Sequence, residues 1–288
     1  MNKSLTLCPY EGQVKVASIF FGLILMLLAL MARSTLATET TDPASYFSTA
    51  HQNSLCSQWL LKRLDEQVQT QQDFRKVLLD RDSNPPPQPF CKLRALYIIT
   101  ERGVTDRAQL LDQGQAIAVQ LLSSRPGWQG ISLKDISQYL PQAKPQDARA
   151  LFWVGYIWGH RLRYMSPFSA LVQRRDVVAI LQKTIKFDKH IYAGGACTWL
   201  GAYYASLPRW VGRDLSKAKQ YFEQALEVSD GNLARLVTYA ESYLKATNNN
   251  ERLAMLKRVA EQEPSPDSIW YVENITAHED ARKLLASE

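Results

Sequence analysis

The sequence predicts an all-α fold in which helical hairpins stack on one another, as an α-solenoid or a helical bundle. Three observations lead there. Ala, Leu, Gln, Lys, Arg and Glu dominate the chain, and these residues lose little on entering a helix. Apolar residues recur at the i, i+3, i+4, i+7 spacing of a buried helical stripe. No alternating apolar–polar run is long enough to make a strand. With 288 residues, 46% apolar and 22% charged, the chain can form one large domain or a run of stacked repeats.

The first segment reads as an address. Residues 16–32 are an unbroken apolar stretch between Lys15 and Arg33. Its length falls between a signal-peptide core and a full membrane span. Thr35 and Ala37 stand at −3 and −1 of a cut before Thr38, which favours a cleaved signal, with an uncleaved membrane anchor as the alternative. Residues 1–37 are therefore expected to be signal peptide or anchor, and residues 38–288 an exported helical repeat domain. Cys8 precedes the apolar core, so it is not the acylated cysteine of a lipoprotein.

The helices follow in order. Asp42 and Pro43 form a helix-start pattern, and a helical periodicity covers residues 54–81. The proline-rich tract 83–89 breaks it, since proline lacks the donor and fixes φ. Residues 90–125 hold two helices divided near 103–105, followed by a loop at Pro126, Gly127 and Gly130. A short helix at 132–140 is closed by Pro141 and Pro145. Ala148, Leu151, Phe152, Gly155, Trp158, Gly159 and Leu162 mark a buried stripe whose partner is residues 174–187. Further pairs are 197–207 with 215–228, and 233–246 with 251–263. Between them Gly231 suits a left-handed helix end and Asn232 a helix cap. A last helix is expected at 268–286.

The pairs share a phase. Small or apolar residues stand four and then three apart on the second helix, with a breaker beyond: Ala218, Phe222, Ala225 and Asp230. Leu200, Gly201 and Tyr204 come from the first helix. Gly114, Ala118, Leu121 and Pro126 repeat the spacing. Val177, Leu181, Thr184 and Lys189 repeat it more loosely, as do Arg252, Leu256, Val259 and Pro264. This is the spacing of tetratricopeptide repeats, in which small residues let two helices approach and an aromatic ring fills the groove beside them. The uneven intervals make the array degenerate.

Chemistry-bearing motifs are missing. His51, His160, His190 and His278 have no H-E-x-x-H or C-x-x-C company, so no metal site is expected. There is no G-x-S-x-G, P-loop or G-x-G-x-x-G, and no catalytic residue or cofactor is assigned. The net charge of +6 is scattered, and the densest basic stretch, from Lys183 to His190, reads as a solvated helix face, not a nucleic-acid footprint. Cys56 and Cys91 lie near the starts of successive hairpins and are candidates for one disulfide, with two buried thiols as the alternative. Cys197 follows two glycines near a helix start, where a dipole can lower a thiol pKa, although packing is the plainer role.

One segment carries a family pattern. Residues 194–232 read GGACTWLGAYYASLPRWVGRDLSKAKQYFEQALEVSDGN, with VTYAESYLKATNN and NITAHEDARKLL following. This resembles the T component of TRAP-type transporters, the TatT-like family, closely over residues 148–286 and weakly over 44–147. Arg213 replaces the second glycine of the usual G-G-D, and the lipoprotein cysteine is missing. The resemblance implies a periplasmic protein built of tetratricopeptide-like hairpins, often trimeric and pierced by an apolar cavity or pore, while membrane association rests on the uncleaved-anchor alternative. It also implies an accessory role beside a periplasmic substrate-binding protein, passing on a hydrophobic ligand.

The residues themselves supply a candidate lining. Trp153, Tyr156, Trp158, Trp199, Tyr203, Tyr204 and Trp210 crowd the central hairpins. Either they pack the core or they line a pocket for a lipid such as a sterol or fatty acid, presenting apolar bodies with polar tips. Arg161, Arg163 or Arg209 could meet an acidic head group, or serve solubility alone. A protein-docking scaffold without a small ligand is the competing functional reading.

Overall fold

A computed structural model describes residues 89–101 and 106–288. The expected signal or anchor segment, the helix at 54–81 and Cys56 lie outside the described residues. Every described element is helical, in the order α1 (Pro89–Glu101), α2 (Arg107–Ser123), α3 (Ile136–Tyr139), α4 (Ala148–Arg161), α5 (Pro167–Phe187), α6 (Gly195–Ser206), α7 (Leu215–Glu227), α8 (Leu233–Tyr239), α9 (Lys245–Thr247), α10 (Asn249–Glu261) and α11 (Tyr271–Ala286). Short 3-10 turns link several of them.

Neighbours in sequence are neighbours in space. α1 packs on α2, α2 on α4, α4 on α5, α5 on α6, and α6 on α7, while α8, α10 and α11 form the last cluster. The starts are chemically specified. Ser166 Oγ accepts the Ser169 N–H at 3.3 Å ahead of Pro167, Asp214 Oδ1 accepts the Lys217 N–H at 2.9 Å, and Asn248 Oδ1 accepts the Glu251 N–H at 3.2 Å. Asp230 and Gly231 are left-handed (φ 46° and 76°), and Asn232 caps α8 through the Ala234 N–H at 3.1 Å.

Three boundaries differ from the sequence reading. α5 begins at Pro167, seven residues before the expected 174, because Ser166 and Pro167 form a complete helix start. The helix expected over 233–246 is interrupted by a π-turn at Ala240–Leu244. The last helix starts at Tyr271, after the indole of Trp270 donates to the Asp230 carbonyl at 2.9 Å.

The repeat positions face inward. Ala218, Phe222 and Ala225 are buried on α7, and Val177, Leu181 and Thr184 on α5. On α2, Gly114 and Ala118 are buried, but Leu122 replaces the expected Leu121 at the interface. Arg252 is buried on α10 because Glu241 and Glu288 meet its guanidinium at 2.6 and 2.7 Å. A Cβ on Gly201 would lie 2.8 Å from the Phe222 ring, so this glycine sets the approach of α6 to α7.

Polar clamps close the ends. Arg94 on α1 donates from Nε and Nη2 to both carboxylate oxygens of Glu273 on α11, each at 2.7 Å, with both side chains buried. This bidentate pair joins the first described helix to the last. Before α6, Tyr192, Ala193 and Gly194 are successively left-handed (φ 61°, 39° and 75°). Arg235, buried on α8, holds that turn by donating to the Tyr192 and Ala193 carbonyls, each at 3.2 Å. Asn274, which a sequence pattern alone makes a glycosylation acceptor, is instead buried, accepting the Leu233 N–H at 2.9 Å and donating to the Gly231 carbonyl at 3.1 Å.

Candidate functional site

Helix α4 is buried around its whole circumference from Ala150 to His160. A helix enclosed on every side leaves room for a pocket only at an end, and the pocket lies at its C-terminal end. There α4, the start of α5 and the turn after α6 enclose a cavity of about 300 Å³, a size within the range of small-ligand sites.

Each wall has a local cause. From α4 comes Gly159, and from the 3-10 turn that follows it come Leu162 and Arg163. From α5 come Phe168, Ala170, Leu171 and Arg174, at the i, i+3 and i+4 positions of one helix face. From α6 and the following turn come Trp199, Tyr203, Leu207, Pro208 and Trp210. The indole of Trp199 stacks on the Tyr203 ring (5.3 Å, 12°) and rests against Gly159, where there is no side chain to exclude it. At the mouth, Phe168 and Trp210 are 76% and 66% exposed, with Leu171 and Val172 beside them. Exposed apolar side chains gathered in this way are the kind of surface that a ligand or partner covers.

The polar groups are few. Among the described residues, Arg163 and Arg174 are the charged lining groups and no carboxylate lines the cavity. Arg174 makes a single long contact from Nη2 to the Val211 carbonyl at 3.5 Å. Burial pushes the Tyr203 hydroxyl pKa above its ordinary value, against the opposing positive fields of Arg174 and Arg175. At neutral pH that hydroxyl is a proton donor as well as an acceptor.

Of the seven aromatics the sequence nominated, the structure brings Trp199, Tyr203 and Trp210 together at this cavity. Tyr204 is adjacent but turns away, stacking on Tyr221 (5.8 Å, 3°). Trp153, Tyr156 and Trp158 do not line it. Trp153 and Tyr156 belong to a buried ring cluster with Phe152 and Tyr192. Trp158 is buried and donates from Nε1 to Gln173 Oε1 at 2.8 Å, tying α4 to α5. The physical reason is the all-round burial of α4, which turns its aromatics into core. Arg161, a nominated head-group partner, is instead held by Asp112 at 2.6 and 3.2 Å, and Arg209 is exposed outside the lining.

Phe168 and Leu171 were missed because the sequence reading began α5 too late, and Ser166-Pro167 was the signal that would have found them. Arg174 stood at the expected start of the helix but was not nominated as a site residue. Cys91 is buried in α1, and its proposed bridge reaches outside the described residues. Cys197 is buried, and burial raises its thiol pKa to about 12, outweighing the charges of Lys189 and Arg235 and the backbone hydrogen bond that favour the thiolate. The helix start does not activate it. Among the described residues no group of three His, Cys, Asp or Glu side chains is placed to hold a metal, and no helix is long and apolar enough to cross a membrane.

The family model for the TRAP transporter T-component matches residues 99–288. No curated protein matches the chain.

Proposed function

This chain belongs to the TRAP transporter T-component family, and on that premise we propose that it is a non-enzymatic periplasmic accessory protein that binds an apolar, lipid-like ligand. The family makes it an accessory of a transport system. The observation that carries the ligand is the cavity between α4, α5 and α6, walled almost wholly by apolar groups and floored by the Trp199–Tyr203 stack. Such a site gains free energy by removing apolar ligand surface from water, roughly 25 cal/mol per Å² before the costs of binding.

The exposed Phe168, Val172 and Trp210 favour a second event at the same place. A periplasmic substrate-binding protein docked on that rim would cover the apolar side chains and put the cavity mouth against its own ligand site. The ligand would then pass between the two without crossing water. A scaffold that docks a partner and carries no ligand would use the same rim and leave the cavity empty.

Native mass spectrometry of the purified protein, with lipid extraction, separates the two readings. The carrier reading expects a co-purifying lipid, saturable quenching of tryptophan emission on adding one, and weaker binding in Trp199→Ala and Trp210→Ala. An intact helical spectrum with no saturable response to sterols, fatty acids or phospholipids would leave the scaffold.

A further inference from the structure

We infer that the cavity selects a single-chain amphiphile with an anionic head, a carboxylate or phosphate, held by Arg174 at the wall between α5 and α6. The inference rests on the lipid-carrier reading and narrows it, separating a fatty acid from a sterol.

Four observations meet at Arg174. It lines a cavity whose other walls are apolar, and it is half-buried. No carboxylate among the described residues lies within ion-pair distance of it, and none lines the cavity. Its single hydrogen bond among the described residues, 3.5 Å to the Val211 carbonyl, is at the limit of a hydrogen bond and leaves most of its five donors unused by them. Its positive field, with that of Arg175, falls on the Tyr203 hydroxyl, so a charged fork and a neutral O–H donor converge on one region.

A guanidinium beside apolar walls is costly unless an anion meets it. Three buried arginines are each supplied with acceptors: Glu273 for Arg94, Glu241 and Glu288 for Arg252, and two backbone carbonyls for Arg235. Half-buried Arg174 has only the long contact to the Val211 carbonyl among the described residues. A carboxylate or phosphate matches the guanidinium fork with two parallel charge-assisted hydrogen bonds, whereas a lone hydroxyl neutralises nothing. The alkyl chain then lies along Leu162, Leu171, Trp199 and Leu207. A sterol offers only the hydroxyl.

The test uses protein obtained by expressing the full chain, delipidated, with tryptophan emission as the readout. Three probes share one alkyl chain: dodecanoate, dodecyl phosphate and dodecanol. Wild type is expected to bind one or both anions at least about tenfold more tightly than dodecanol, the factor expected of a charge-assisted hydrogen bond. The better anion identifies the head group. Arg174→Gln should bring the anion-to-alcohol ratio near one, chiefly by weakening the anion. Arg174→Lys keeps the charge without the fork and should recover part of the preference. Equal binding of anion and alcohol by wild type, or a ratio that survives Arg174→Gln, would overturn the inference while leaving the carrier reading intact. Failure of all three probes would overturn both.

Discussion

Gly159 and Trp199 are in contact at the cavity floor so closely that a methyl group on Gly159 would stand 2.5 Å from Cε2 and 2.6 Å from Nε1 of the indole. Real side chains do not approach that near. The absence of a side chain at 159 therefore determines where the ring of 199 lies. Gly159→Ala must push a rigid indole toward the cavity or force α4 and α6 apart. The expected cost is about 1–3 kcal/mol of stability in urea unfolding, with a shifted tryptophan emission and weaker binding of any cavity ligand. Wild-type stability and unchanged emission together would show that the ring is not seated on Gly159.

Glu273→Gln should be more damaging than its chemistry suggests. The carboxylate meets Arg94 at 2.7 Å through both oxygens, and both side chains are buried. Removing one partner leaves the other charged and unpaired, at a cost of about 3–5 kcal/mol. Replacing both, with Arg94→Met and Glu273→Leu, should recover much of the loss. A thermal-unfolding double-mutant cycle with purely additive effects would contradict the pairing.

Stability should fall as pH drops below neutrality, and His160 should account for part of the fall. It is buried among Tyr97 and Tyr156, and its pKa is held well below the ordinary value by burial, then by the charges of Arg163 and Arg235. The unfolded chain accepts a proton near pH 6.5, whereas the folded one does not. The unfolded state therefore binds more protons, and stability is lost as pH falls through the unfolded value toward the depressed folded one. The slope attributable to one such group is at most about 1.4 kcal/mol per pH unit. Chemical unfolding of wild type and His160→Gln between pH 7.5 and 5.5 should show a flatter dependence in the variant. Parallel profiles would mean His160 is protonated in the fold.

Cys197 should be inert in the native protein. Its thiol is buried, its pKa is raised to about 12, and its one polar contact is Sγ to Gln224 Oε1 at 3.9 Å. Since the thiolate is the reactive form, iodoacetamide at pH 8 should label it at the rate of unfolding and immediately in denaturant. Peptide mapping identifies the site. Rapid native labelling would show an opening at the start of α6.

Ala218→Trp tests the hairpin packing. Ala218 is fully buried where α7 meets α6, and the larger ring has no room there. A loss of about 1–3 kcal/mol is expected. A neutral result would mean the two helices are separated enough to admit it.

The helices were legible because each carries its own signals. Asn232 and Asp214 were readable as caps or helix starts, Gly231 as a left-handed end, and the Ala218–Phe222–Ala225 spacing as a packing face. All of these depend on residues within a few positions of one another. Where the signals were local but overlooked, as at Ser166-Pro167, the boundary slipped and the pocket residues Phe168 and Leu171 slipped with it. The π-turn at Ala240–Leu244 had no local signature, because a single π-turn is a rare insertion inside an α-helix and uses the same residue types.

The sequence by itself determined the helical class, the pairing of neighbours and the family, since periodicity, caps and family pattern are properties of residues close in the chain. Only the tertiary structure decided which aromatics face a cavity. Trp158 and Trp199 look alike in sequence, each beside small residues on an apolar helix. One lies inside a helix enclosed by four others, and the other stands where α4 ends and α5 begins. It also decided that Arg161 is held by Asp112, 49 residues away, while Arg174 meets no acid among the described residues. Burial and ion pairing depend on what distant segments bring to a residue, and the 3.6-residue period of one helix does not encode what packs against it.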